Sequence, residues 1–96
     1  MMFSDPPSKP FVTPGISGTV VRAGTYAEFK CNITDKGFPV VNRYQWKRDD
    51  ELLQDTESYL VFLENTVGTF SYTCMARNGY TTRSSDPLTI TVQGNA

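Results

Sequence analysis

Apolar and polar side chains alternate with a period of two along most of the chain. In "TYAEFKCNIT", Ala27, Phe29, Cys31 and Ile33 share one face, while Tyr26, Glu28, Lys30 and Asn32 share the other. In "RYQWKR", Tyr44 and Trp46 oppose Arg43, Gln45 and Lys47. In "FSYTCMAR", Phe70, Tyr72, Cys74 and Ala76 oppose Ser71, Thr73, Met75 and Arg77. In "LTITV", Leu88, Ile90 and Val92 stand against Thr89 and Thr91. Successive side chains of a strand point to opposite faces, so this pattern predicts half-buried strands, each wet on one side. The continuous apolar run in "ESYLVFLEN" predicts a further strand without a clean facing.

Turn residues fall between these runs. Pro6, Pro7, Pro10 and Pro14 divide the first stretch into short edge pieces, Asp35-Lys36-Gly37 makes a loop, and Asp49-Asp50-Glu51 a polar turn. Asn78-Gly79 predicts a two-residue hairpin, a turn with positive φ at both positions. No stretch carries the stripe of an amphipathic helix of three turns. The expectation is an all-β chain of about seven short strands, folded as a two-sheet sandwich or a barrel.

Ninety-six residues make one domain. Residues 9–93 are expected to form it, with 1–8 as a lead or linker and 94–96 as a C-terminal linker. The doubled methionine before a polar, Pro-rich lead reads as the start of a module excised from a longer protein. A net charge of −1 leaves no electrostatic footprint for nucleic acid or an anionic membrane. No apolar run reaches the roughly 18 residues that span a bilayer, and the N-terminus lacks the regions of a signal peptide. Any membrane attachment would come from other parts of the parent protein.

Two cysteines, Cys31 and Cys74, allow a single pairing, and the chain has no histidine. A zinc site wants about four Cys, His or carboxylate ligands, and nucleophilic catalysis most often uses a histidine base. Both cysteines lie on the apolar faces of their strands, where burial disfavours the reactive thiolate. Facing one core, they can instead bridge two sheets, with the Trp46 indole against the sulfurs. Such a bridge closes a loop of about 44 residues and stabilises by roughly 4 kcal/mol in the chain-entropy account. Tyr72 is placed to bury its ring and send its hydroxyl to upstream backbone at the strand corner.

In their order along the chain, Cys31, Trp46, Tyr72 and Cys74 resemble the core signature of an immunoglobulin-superfamily domain: strand B cysteine, strand C tryptophan and the tyrosine corner of strand F. Tyr72-Thr73-Cys74-Met75-Ala76-Arg77-Asn78 is similar to a run frequent in cell-adhesion and receptor domains, and "SSDPLTITV" resembles the final strand, G. The resemblance implies an antiparallel sandwich of the short intermediate or constant-like set. Two departures stand out. Gly68 occupies the position of the family's aspartate and Phe70 that of its glycine, so the usual buried ion pair at the sandwich bottom is expected to be missing. Arg22 is then the cation expected to lack a buried carboxylate, with Glu57 and Glu64 as the acids that could replace it. Only 28 positions separate Trp46 from Cys74, room for either strand C′ or strand D but not both at full length.

Asn32-Ile33-Thr34 is an N-glycosylation acceptor, with Asn32 expected to point outward beside the buried Cys31. Sequon and disulfide together favour an oxidising, secretory compartment. Asp49, Asp50, Glu51, Asp55 and Glu57 are expected to be solvated turn residues rather than a catalytic or metal-binding pair. On the outer face of strands C, F and G lie Arg43, Gln45, Lys47, Thr73, Met75 and Arg77, with Arg83 near the hairpin. Arg43, Lys47, Met75, Arg77 and Arg83 are the candidate partner-binding residues. The expected function is that of a non-catalytic extracellular recognition module in cell adhesion or an immune receptor, without cofactor. Its expected partners are a protein ligand or a second copy through that face, and neighbouring domains of the same chain. The alternative is a structural spacer domain of an intracellular muscle-type protein.

Overall fold

The alternating runs form nine strands in the computed structural model, which describes residues 5–16, 18–79 and 81–94. They are β1 (Phe11–Pro14), β2 (Val20–Arg22), β3 (Tyr26–Asn32), β4 (Arg43–Arg48), β5 (Glu51–Leu52), β6 (Tyr59–Leu63), β7 (Gly68–Arg77), β8 (Thr82–Ser84) and β9 (Leu88–Gln93). One sheet has the order β1-β3-β6; the other runs β2-β9-β7-β4-β5, with β8 on β7. Every pairing is antiparallel except that of β2 with β9. The count exceeds the expected number because the N-terminal edge is divided after Pro14-Gly15, the last strand is divided before Pro87, and the two-residue β5 is added.

The N-terminal edge switches sheets between β1 and β2, and Gly15 makes the crossing possible. Its N–H donates to the Glu28 carbonyl at 2.8 Å, and a Cβ at this position would lie 2.9 Å from that same oxygen. At the opposite side of the molecule β5 pairs with β4, while among the described residues no strand pairs with the far edge of β6. The short interval between Trp46 and Cys74 is therefore spent on strand C′, not D.

Alternation sends Ala27, Phe29 and Cys31 of β3, Trp46 of β4, Leu60 of β6, Tyr72, Cys74 and Ala76 of β7, and Ile90 and Val92 of β9 into one buried core. Each large side chain so buried contributes about 1.5–3 kcal/mol. Phe29, Phe62 and Tyr72 form a ring cluster with centroids 4.7–5.2 Å apart. Trp46 is fully buried yet polar-satisfied, its indole N–H donating to the Glu57 carbonyl at 2.9 Å. Cys31 and Cys74 are bonded across the two sheets, with Cα atoms 6.1 Å apart. The run in β6 proves to alternate after all: Leu60 is buried and Phe62 half-buried, while Tyr59, Val61 and Leu63 are exposed.

Two sequence expectations need correction here. Residues 5–8 are not free linker. Asp5 exchanges two backbone hydrogen bonds with Phe38, Ser8 is tied through backbone and hydroxyl to Asp35, and Pro7 is buried. Residues 1–4, 95 and 96 lie outside the described residues. The hairpin after β7 is also wider than expected. Arg77 pairs with Thr82, leaving four residues in the connection, and of Asn78 and Gly79 only Gly79 has positive φ. Asn78 instead buries its amide: Oδ1 accepts from the Thr81 N–H at 3.0 Å and Nδ2 donates to the Asp5 carbonyl at 2.9 Å.

Candidate functional site

Strands β4 and β7 are paired so that their outward residues meet across the ladder: Arg43 with Arg77, Gln45 with Met75, and Lys47 with Thr73. Arg43, Gln45 and Arg77 are exposed, and Lys47 and Met75 are half-buried. Two adjoining hollows open on this face. One, of about 340 Å³, is lined by Asn42, Arg43, Arg77 and Gly79. The other, of about 140 Å³, is lined by Arg43, Tyr44, Gln45, Met75, Arg77 and Thr82. Both arginines border both hollows. Among the described residues neither makes an ion pair. Like charges directly opposite each other on a sheet destabilise it, so this pair gains from an anion brought by something else.

Arg83 does not share that face. It stands opposite Ala76, whose side chain is buried, so alternation turns Arg83 inward and leaves Thr82 and Ser84 on the outer side. A two-residue turn would have set Arg83 opposite the equally inward Cys74, so the longer connection slides the register by two residues and leaves the phase unchanged.

Asn32 is half-buried, and its Nδ2 donates to Thr13 Oγ1 at 2.8 Å and the Phe11 carbonyl at 3.2 Å, with the Lys30 carbonyl at 3.3 Å. The amide is turned onto β1 and clamps it to β3. A glycan joined to that nitrogen would have to displace these bonds. The acidic residues are spent locally: Asp49, at positive φ, accepts the Ser71 N–H at 2.9 Å, and Glu51 lies 3.4 Å from Arg48. Among the described residues no group of His, Cys, Asp or Glu is arranged to hold a metal.

Sequence reasoning named Glu64 as a possible replacement acid but missed its partner, Arg48, in the charged cluster at the bottom of the sandwich. Glu64, just past β6, is buried, and its Oε2 lies 2.7 Å from Arg48 Nε. That approach is a charge contact; the hydrogen bond is carried by Arg48 Nη2 to Oε1 at 3.1 Å. Tyr72 Oη donates to Oε2 at 3.3 Å, so the hydroxyl serves a carboxylate eight residues upstream and not the backbone. The Arg48 guanidinium sits 4.5 Å from the centre of the Phe70 ring, the residue in place of the family's glycine. Burial opposes the Arg48 charge, yet the Glu64 carboxylate beside it more than offsets this, so the pKa of the Arg48 guanidinium is raised. Burial first, then the Glu64 carboxylate, pushes the Tyr72 phenol well above its ordinary value. The expectation of a missing ion pair is thus overturned: the acid has moved from position 68 to 64, and the base is Arg48. Arg22 is exposed and has no ion pair among the described residues. The signal available was parity, since Arg48 lies two positions after Trp46 and shares its inward face.

Solved structures similar to this one share its fold at low identity. The N-terminal four Ig domains of Dscam1 isoform 4.44 match with a TM-score of 0.61 at 18% identity, over 93% of this chain and 21% of that one. A Dscam structure described as the basis of isoform specificity matches with a TM-score of 0.62 at 20% identity, over 98% of this chain and 22% of that one. A CARDB domain from Pyrococcus furiosus, solved in complex with di-metal ions, gives 0.64 at 12% identity, over 96% and 97%. The chain thus spans about a fifth of the Dscam chains it matches. No curated protein matches it in sequence. The family model described as "Immunoglobulin domain" matches residues 9–92, nearly the whole chain. With its bridged cysteines, buried tryptophan and two-sheet topology, the chain belongs to the immunoglobulin domain family.

Proposed function

We propose that this domain is a non-catalytic, extracellular protein-recognition module whose docking surface is the outer face of β4, β7 and β8. The observation that carries the reading is the opposed pair Arg43 and Arg77, exposed, without an ion pair among the described residues, and bordering two hollows beside Met75 and Tyr44. An acidic partner segment would relieve the repulsion and find polarizable and aromatic surface next to it. The cysteines, bonded to each other, support an oxidising compartment over the intracellular spacer reading. The Dscam likeness, a fold-level one, fits adhesion without naming a ligand. The test is an array of cell-surface ectodomains probed with the domain in tetrameric form, which gains avidity for weak partners. Wild type is expected to bind at least one member, and Lys47→Glu/Arg77→Glu to lose it while unfolding at the same temperature. Binding by the double variant to the same members would move the site to another surface.

A further inference from the structure

The edges of the two sheets are not equally protected. β1 is flanked and closed by Pro10 and Pro14; β2 has three residues and ends in Arg22; β5 has two residues and begins with Glu51 after Asp49-Asp50. Short edges, prolines and charges are the usual guards against pairing with another chain. β6 has none of them. It is five residues long, Tyr59-Leu60-Val61-Phe62-Leu63, uncharged, and free on one side among the described residues.

Its backbone polarity can be assigned. The Ser58 carbonyl accepts the Cys31 N–H at 2.7 Å, so residue 58 points its backbone groups at β3. In an antiparallel ladder these groups alternate, so Leu60 and Phe62 also bond β3, while Tyr59, Val61 and Leu63 turn their N–H and C=O to the open side. Those are the same three residues whose side chains are 51%, 49% and 38% exposed. Tyr26, opposite Leu63 on β3 and 73% exposed, extends the apolar strip.

We propose that β6 is a self-association edge, pairing antiparallel with β6 of a second copy about a two-fold axis at Val61. In this register Val61 meets its own counterpart and Tyr59 meets Leu63 of the second copy, each pair exchanging backbone bonds in both directions. Continued outward, Ser58 meets Glu64 and Glu57 meets Asn65, so no like charges face each other across the seam. The two Glu28 carboxylates, each beside Val61, stay roughly 14 Å apart, three strand spacings. The same three apolar residues supply both sides, and this self-complementarity selects a copy over a foreign strand. A seam about 17 Å long buries less than the about 1,200 Å² of a stable interface, so the dimer is weak and forms at high local concentration.

The experiment is sedimentation equilibrium from about 10 μM to about 1 mM, with amide hydrogen exchange read by NMR at both ends of that range. Wild type is expected to pass from monomer to dimer as the amides of Tyr59, Val61 and Leu63 gain protection; those of Leu60 and Phe62 stay protected throughout. Val61→Pro removes an outward N–H without touching the bonds to β3, and Val61→Lys places a charge at the axis. Each should weaken association by about tenfold or more. Retained protection at Leu60 certifies the fold, and if the proline variant fails that check the lysine variant decides. A wild type still monomeric at the top concentration overturns the proposal. So does a dimer that survives these variants, or one lost only in Lys47→Glu/Arg77→Glu.

Discussion

Glu64 takes over a role that Gly68 leaves vacant. It accepts from Arg48 and Tyr72 in a buried site, so removing the cation leaves a carboxylate with a single neutral donor. Arg48→Met should therefore cost about 2–4 kcal/mol in denaturant titration, toward the lower end for a partly exposed arginine. Arg22→Gln should cost less than about 0.5 kcal/mol, as at other exposed sites. Equal losses at the two positions would contradict the assignment. Tyr72 adds a pH dependence. Its phenol is raised in the folded state, so above the unfolded value of about 10 the unfolded chain loses a proton that the folded chain keeps. The contribution is whole well below pH ~10 and fades as pH climbs toward the folded value, by about 1.4 kcal/mol at pH 11. Urea midpoints at pH 8 and 11 should fall apart in wild type, and this part of the fall should vanish in Tyr72→Phe.

Elements whose side chains alternate cleanly are legible in the sequence. The strands around Phe29, Trp46, Tyr72 and Ile90 bury the faces that period two assigns to them, and the two cysteines meet because both faces point at one core. What escaped depends on partners distant in sequence. Asn32 lies on the wet phase of β3, but Thr13 and Phe11 of β1 draw its amide down; nothing near position 32 encodes that. The width of the hairpin is set by the buried Asn78 side chain and by Asp5, not by the Asn-Gly dipeptide alone, whereas the inward phase of Arg83 follows from parity under a two-residue or a four-residue connection alike. The switch of the N-terminal edge between sheets is a further long-range feature, and it rests on Gly15. With only 2.9 Å between a Cβ at this position and the Glu28 carbonyl oxygen, Gly15→Ala must push β1 away from β3. The expected cost is about 1–3 kcal/mol by thermal unfolding, with exchange protection lost first in β1. An unchanged midpoint would show that the crossing is slack.

The molecule as a whole separates its surfaces by sheet. The β4-β7-β8 face carries cationic charge that no ion pair among the described residues neutralises, on a chain of net charge −1, whereas the three-stranded sheet offers an apolar edge at β6. The first suits a charged partner and the second a copy of the same strand, and the disulfide and core hold both surfaces in one rigid body. Because a cationic face steers an acidic partner over long range, the central claim is tested most directly by association rate against ionic strength. The measurement is made on a partner found in the ectodomain array, for wild type and for Lys47→Glu/Arg77→Glu. Recognition through Arg43 and Arg77 predicts a wild-type rate that falls steeply with added salt, and a slower, nearly salt-independent rate in the variant. Equal rates and equal salt dependence in the two proteins would contradict it.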